Sequence, residues 1–266
     1  MKPPAEYWKN WFDEQASHAQ SDYALNRGTT LRLDELESRS ARNFLEAVDP
    51  QPEDFVLDAG CGSGRNISVL SPRVKGVMGI DYAEHMVQKA RERVAAEKLT
   101  NVKLMPGDLT ALQFPSDSFD KVVCASVLQY LDRAGCERAL EEMIRVCKPG
   151  GRLVLHVKNG TSLYGVSLKC ARTAARLLGR PAKPEFYRGR GWHERVLRRL
   201  GGRVLQYDGF GFLTFVPLPQ KVVGWLLRCE MRWLTAKRLR RFAVNYQLTV
   251  LVEKVPRNEE VSALKA

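Results

Sequence analysis

Apolar residues along this chain follow two different periods, and the places where one replaces the other outline the fold. From Ala5 to Ala19 the aromatic residues Tyr7, Trp8, Trp11 and Phe12 recur at helical spacing. Leu31 to Val48 repeats that period, with Leu33, Leu36, Ala41, Phe44, Leu45 and Val48 on one face and charged residues elsewhere. The run Asp49-Pro-Gln-Pro52 breaks the chain there. Short apolar runs then alternate with helical ones. Strands are predicted at 54–58, 75–80, 102–106, 119–125 and 152–157, and helices at 64–71, 83–97 and 132–147. Strands separated by helices build a parallel sheet covered on both faces.

Past residue 158 the alternation lengthens. Thr161 to Leu178 has helical period, with Lys169, Arg172, Arg176 and Arg180 off its apolar face, and Pro181 and Pro184 close it. Gly191 to Leu200 reads as the helix before a sixth strand, Arg203 to Tyr207. Phe210 to Leu218 and a basic, apolar helix from Lys221 to Phe242 precede a seventh strand within Ala243 to Val252. The expected fold is α/β, a doubly wound seven-stranded and mostly parallel sheet. Its expected divisions are an N-terminal helical cover (1–50), a core (51–160), a C-terminal part (161–254) with insertions at 161–190 and 211–242, and a polar tail (255–266). Ligands of open parallel sheets bind beyond the carboxyl ends of the strands. Strands five and six both end at that edge, so the two insertions are expected to flank a ligand there and, with the N-terminal helices, to cover it.

One turn carries the sharpest chemical signal. Val56-Leu-Asp-Ala-Gly-Cys-Gly-Ser-Gly64 is a strand running into a loop with glycine at 60, 62 and 64, and Gly76-Val-Met-Gly-Ile-Asp81 ends the next strand on a carboxylate. Glycines leave the main chain open to a ligand, and a second-strand acid is placed for ribose hydroxyls. A dinucleotide fingerprint would need G-x-G-x-x-G; here that position is Arg65. Three further segments follow in order: Gly107-Asp-Leu109; Phe114 to Asp120 leading into Lys121-Val-Val-Cys-Ala-Ser126; and Lys148-Pro-Gly-Gly-Arg152 before Leu153.

Together these motifs, over about residues 53 to 158, resemble the class I S-adenosylmethionine-dependent methyltransferases, with Asp58 and the glycines as the family's motif I. The resemblance implies S-adenosyl-L-methionine as cofactor and transfer of its methyl group by in-line displacement. It implies that Gly60, Gly62 and Gly64 hold the methionine portion, with Asp58 near its ammonium. The following helix N-terminus favours its carboxylate by about 0.3–1 kcal/mol. Asp81 is expected on the ribose, Tyr82 against the adenine face, and Asp108 and Leu109 at the adenine edge; Ser126, closing the fourth strand, completes the cofactor set. No metal is implied.

The acceptor side is thinner. Ser126-Val-Leu-Gln-Tyr-Leu131 lacks the Asn/Asp-Pro-Pro-aromatic motif of enzymes that methylate nucleobase amines. Gln129 and Tyr130 occupy substrate-facing positions. Histidine is the usual general base near neutral pH. Of four histidines, His156 near the end of strand five and His18 beside the aromatic stripe are the candidates, with Tyr130, for catalysis. His85 reads as a surface or adenine-rim residue and His193 as the start of an ordinary helix.

Charge changes the picture last. The net charge of +12 is uneven: residues 157–254 hold 20 Lys and Arg against 5 Asp and Glu, while the remainder holds 22 basic and 25 acidic residues. The basic excess therefore belongs with a substrate or a surface rather than with the cofactor. In 221–242, Trp225 and Trp233 stand among aliphatic residues and seven Lys and Arg, as in helices lying in a bilayer interface. An anionic membrane surface or a lipid-like acceptor is the expected partner, and a solvated basic face the plainer reading. The six cysteines are scattered without metal-ligand spacing, which fits reduced thiols in a cytosolic protein. No signal-peptide or membrane-span pattern is present, so the expected place is cytoplasmic, with peripheral contact at the inner membrane face. Nucleic acid is not expected as a partner, since no RNA-binding module is recognisable. The expected function is methyl transfer to a small or lipid-like acceptor, at oxygen or carbon. An RNA-directed methyltransferase and a non-catalytic nucleoside-binding protein are the alternatives.

Overall fold

The computed structural model describes residues 4–18, 42–179, 185–210 and 245–253. The order is α1 (Pro4–His18), α2 (42–48), β1 (Phe55–Ala59), α3 (Arg65–Leu70), β2 (Gly76–Asp81), α4 (Glu84–Ala96), β3 (Val102–Pro106) and β4 (Phe119–Ala125). A 3-10 turn (Leu128–Tyr130) follows, then α5 (Arg133–Val146), β5 (Cys147–Lys158), α6 (Leu163–Leu177), α7 (Arg190–Arg199), β6 (Gly202–Phe210) and β7 (Asn245–Val252). The seven strands form one sheet in the order β3-β2-β1-β4-β5-β7-β6. All pairings are parallel except those of β7, which runs antiparallel to both β5 and β6.

The sheet is covered on both faces because its strands are apolar on both. In β1, Leu57 and Ala59 face a core built with α5 and α7 (Ala139, Leu140, Met143, Val196, Leu197) and with Tyr246 and Leu248 of β7. Val56, one residue away, faces the opposite core of Phe44 and Val48 from α2, Ile67 and Leu70 from α3, and Val123 and Val154. Alternation along a strand sends neighbours to opposite faces, so two cores need a continuous apolar run. Burying each such Leu, Ile or Val contributes about 1.5–3 kcal/mol. Asp132 caps α5, its carboxylate accepting from the Gly135 N–H at 2.7 Å.

Two expectations change. Strand five begins at Cys147, five residues early. Phe119 pairs with Cys147 and Lys121 with Arg152, so Lys148–Gly151 form a bulge inside the strand rather than a turn before it. A Cβ on Gly151 would lie 2.6 Å from the Asp120 carbonyl oxygen, which is why a side chain is missing there. Of the helix expected over 31–48, the described part, 42–48, is helical. His193, expected at an ordinary helix start, is buried at 2% exposure. The basic segment 211–242, with Trp225 and Trp233, lies outside the described residues, as do the side chain of His18 and the tail. Five cysteines are described and all are free; Cys170 is exposed, the other four buried. Among the described residues no helix is long and apolar enough to cross a membrane.

Candidate active site

The carboxyl ends of β1, β2 and β4 meet at the glycine loop. Gly60, Gly62 and Gly64 all have positive φ (85°, 52° and 84°), the left-handed region that side chains resist. A Cβ at Gly60 would also lie 2.3 Å from Val127 Cγ2. The loop is tied down from β2: the Gly60 and Cys61 N–H groups both donate to the Ile80 carbonyl at 2.8 Å. Asp81 holds it as well, Oδ2 accepting from the Gly62 N–H at 2.8 Å and Oδ1 from the Ala83 N–H at 3.0 Å. Each oxygen keeps lone-pair capacity for a further donor. Burial pushes the Asp81 carboxyl above the usual carboxylate range, while these two N–H groups restrain it.

Asp58 sits beneath the loop, fully buried, and among the described residues neither of its oxygens has a hydrogen-bond partner. Its pKa is raised to about 7, chiefly by burial; the Asn66 side chain, near enough to pull it down but short of a well-formed hydrogen bond, opposes this, and the Asp81 charge adds to it. An orphaned buried carboxylate is costly unless a cation or donor meets it. Helix α3 is only six residues long, so its dipole is a minor addition to the pocket.

The remaining candidates scatter around this centre. Tyr82, directly after Asp81, is 40% exposed. Asp108 folds back locally: Oδ1 accepts from the Thr110 N–H and hydroxyl at 2.8 and 2.9 Å. Leu109 packs in the core with Ile80 and Leu128. Ser126 has a left-handed backbone (φ 60°) and its N–H donates to the His156 carbonyl at 2.8 Å. That strain at a strand end turns the chain sharply into the 128–130 turn.

Gln129 and Tyr130, expected to face a substrate together, diverge. Tyr130 stacks beneath α1, its ring 4.5 Å from Trp8 and 5.2 Å from Phe12. Gln129 is buried at 3% exposure; its amide donates to the Ser126 carbonyl at 2.6 Å, and among the described residues its Oε1 has no partner. Helix α1 also reaches α4, where Asp13 accepts from the His85 N–H at 2.9 Å and lies 3.2 Å from the His85 ring. His85 therefore anchors α1.

His156 lies on β5 opposite Ala125 and Gln247. By strand alternation it shares the face of Val154, which is also the face of Val56 and Asp58. Its Nε2 is buried, and burial, then the Lys158 charge, hold its pKa down at about 4, so the ring is neutral near pH 7.

Sequence reasoning missed a second group of residues. The segment 185–189 runs as a strap across the ends of β4 and β5. The Phe186 N–H donates to the Gln129 carbonyl at 2.7 Å, and the Arg188 guanidinium donates to the carbonyls of Leu128 and Leu131 at 3.2 and 2.9 Å. Glu185 takes hydrogen bonds from Arg172 and the Tyr187 hydroxyl. Behind the strap, His193 Nδ1 meets the Tyr246 hydroxyl at 2.7 Å. The only sequence signal was the density of cations.

A glycine loop with positive φ, a second-strand carboxylate and an unpartnered buried acid, at the carboxyl edge of a 3-2-1-4-5-7-6 sheet, define a nucleoside-binding doubly wound α/β protein. Comparison with known proteins narrows this. The family model described as "Methyltransferase domain" matches residues 56–151. A demethylmenaquinone methyltransferase of Shouchella clausii is 35% identical over 116 residues, 42% of this chain and 48% of that protein. A phosphatidylethanolamine N-methyltransferase of Cereibacter sphaeroides is 39% identical over 101 residues, 38% of this chain and 48% of that protein. Among solved structures, geranyl diphosphate C-methyltransferase of Streptomyces coelicolor shares the fold (TM-score 0.64, 16% identity), covering 94% of this chain and 98% of that one.

Over residues 56–151 the chain is similar to that methyltransferase-domain family, and its sheet shares the fold of class I S-adenosylmethionine-dependent methyltransferases. The chain spans about half the length of the curated relatives it matches. The family's cofactor is S-adenosylmethionine, and this pocket fits it. The orphaned Asp58 suits an amino-acid ammonium, the bare glycine main chain suits close approach, and Asp81 has capacity left for a diol.

Proposed function

We propose that the protein transfers the methyl group of S-adenosylmethionine to a small-molecule or lipid-type acceptor, at oxygen or carbon. The observation that carries this reading is the buried Asp58 carboxylate, unpartnered beneath three left-handed glycines. Bound S-adenosylmethionine supplies an electrophilic methyl carbon and a neutral thioether leaving group. The chain's own residues position and exclude water. In this reading Asp58 holds the ammonium, Gly60, Gly62 and Gly64 lie against the methionine portion, and Asp81 takes the ribose hydroxyls. Tyr82 covers one adenine face, and the free oxygen of Asp108 takes the adenine amino group, with Leu109 as the apolar floor. Ser126 shapes the wall between cofactor and acceptor.

Helix α1 acts as the N-terminal cover, since Trp8 and Phe12 close over Tyr130. If the acceptor is a hydroxyl, its proton leaves as the new bond to carbon forms. His156 is the base this reading assigns, being neutral and on the Asp58 face; its low pKa makes it a weak acceptor of that proton, so orientation carries more of the rate. Tyr130 contributes packing rather than proton transfer, and no role is assigned to His18. The absence of an Asn/Asp-Pro-Pro-aromatic motif at 126–131 supports oxygen or carbon over a nucleobase amine. The test is calorimetric titration of S-adenosylhomocysteine, followed by mass spectrometry of cell extracts incubated with the protein and methyl-labelled cofactor. A labelled small molecule or lipid is expected; cofactor binding with no labelled product from any extract would favour a non-catalytic nucleoside-binding protein.

A further inference from the structure

The proposed function leaves the strap region without a task, yet two features converge there. Leu128, Gln129, Val157, Lys158, Phe186, Arg188 and His193 line one narrow crevice at the carboxyl ends of β4 and β5. Gln129 and His193 are 3% and 2% exposed, and among the described residues Gln129 Oε1 and His193 Nε2 both lack a partner. Buried polar atoms without partners are rare in folded proteins, because each forfeits about 1–3 kcal/mol. Two in one crevice mark a place built for something polar.

The chemistry of that guest follows from what each group offers. Among the described residues the buried Tyr246 hydroxyl has His193 Nδ1 as its one acceptor, at 2.7 Å. Nδ1 also lies 3.4 Å from the Gly189 carbonyl, much the longer of its two contacts; with Nδ1 accepting the Tyr246 proton, Nε2 carries the N–H and has no acceptor among the described residues. Arg188 spends its hydrogen bonds on main-chain carbonyls, at Leu128, Leu131 and Phe186, and among the described residues it has no carboxylate partner. Lys158 lies 5.5 Å from the Tyr187 ring centre. Lys169 and Arg172 add charge nearby, Lys169 donating to the Gly160 carbonyl at 2.8 Å. Among the described residues Glu185 is the single acid in the group, paired with Arg172 and held down by the Lys158 charge, against four cations. The Gln129 amide nitrogen is already donating to Ser126, so Oε1 is fixed as an acceptor.

We propose that this crevice is an acceptor subsite for an oxyanion that also carries a hydroxyl, a hydrogen phosphate or a hydroxycarboxylate. The anionic oxygens accept from Lys158, Arg188 and His193 Nε2, and the hydroxyl donates to Gln129 Oε1. Charge-assisted hydrogen bonds of this kind are shorter and about twice as strong as neutral ones. The inference rests on the methyltransferase reading, because it names the substrate class of that same site. As it stands the crevice is too narrow for a water molecule, so occupancy parts the strap from the 128–130 turn.

The experiment uses the full chain saturated with S-adenosylhomocysteine, titrated with inorganic phosphate and separately with lactate, and read by calorimetry and by hydrogen exchange at the Phe186 amide. Saturable millimolar binding of either, with faster exchange at Phe186, is expected. Lys158→Met should weaken it at least about tenfold, the size of one lost charge-assisted contact, and Gln129→Leu by several-fold. Both should keep their homocysteine-cofactor affinity within about twofold. Lys103→Met, on the far strand β3, should change neither. Should Gln129→Leu fail to fold, Lys158→Met alone decides. Vesicles of phosphatidic acid that compete with free phosphate would assign the anion to a lipid headgroup, and failure to compete would assign it to a free metabolite. Absence of phosphate and lactate binding, or unchanged binding in Lys158→Met, overturns the subsite while cofactor binding persists. Failure of the cofactor itself to bind would instead remove the reading beneath it.

Discussion

The two sides of strand β4 are assembled in opposite ways. On the β1–β2 side the pocket comes from 24 consecutive positions, 58 to 81, and its specificity is mostly main chain: three left-handed glycines, two N–H groups on Asp81 and one buried acid. On the β5 side the walls of the proposed subsite come from 129, 158, 188 and 193, and the groups they offer are all side chain. A site made of main chain tolerates few substitutions because glycine and turn geometry leave no alternatives. One made of long side chains on separate elements changes its guest by single replacements. The cofactor side should therefore break abruptly and the acceptor side by degrees.

The largest effect is expected at Gly60. Gly60→Ala places a Cβ against Val127 and holds a side chain at φ 85°; a residue forced there costs about 1–3 kcal/mol, and loop distortion should lower affinity for S-adenosylhomocysteine more than about 100-fold. Adding Val127→Ala removes the clash but leaves the backbone strain, so only partial recovery is expected by calorimetry. Asp81→Ala comes next, since it removes both the ribose acceptor and the two ties to Gly62 and Ala83. Loss of about 2–3 kcal/mol of binding is expected, and unchanged affinity would remove Asp81 from the site.

A graded effect follows from Asp58. Its native pKa, about 7, lies above the ordinary carboxylate value of 3.8, so in the free protein it binds a proton that the unfolded chain has released. Its contribution to stability is therefore whole below about pH 4 and declines as pH rises toward 7. A ligand ammonium needs the ionised form. Cofactor affinity should rise about tenfold per pH unit up to roughly pH 7 and then level, with proton release in calorimetry at pH 6. Asp81 is displaced in the same direction, so Asp58→Asn is the control, and it should flatten the profile. The smallest effect is expected at α1. Trp8→Ala, with Trp8 at 4% exposure, should loosen the helix without unfolding the sheet, read as faster hydrogen exchange at the His85 amide that Asp13 holds.

The same contrast explains what was legible in the sequence. Gly60, Gly62, Gly64, Asp58 and Asp81 lie within one βαβ unit, where local spacing determines spatial arrangement, and so could be picked out before any fold was known. The strap could not. Gln129 and His193 are 64 positions apart, and nothing in the helical period of 190–199 distinguishes a buried histidine from a surface one. Gln129 and Tyr130 were paired because they are adjacent, but a 3-10 turn rotates successive side chains by about 120°, which sends one to the crevice and the other to α1. The bulge at Lys148–Gly151 was hidden for a similar reason: Pro-Gly-Gly reads as a turn, and only pairing with β4 makes it part of a strand.

The turn at Leu128–Tyr130 is a party wall. Its tyrosine bears the helix that roofs one chamber, and the main chain of its glutamine bears the strap that bounds the other. A tenant that shifts this wall from either side alters the shape offered to its neighbour. By thermodynamic reciprocity, each guest must then change the other's hold by the same factor.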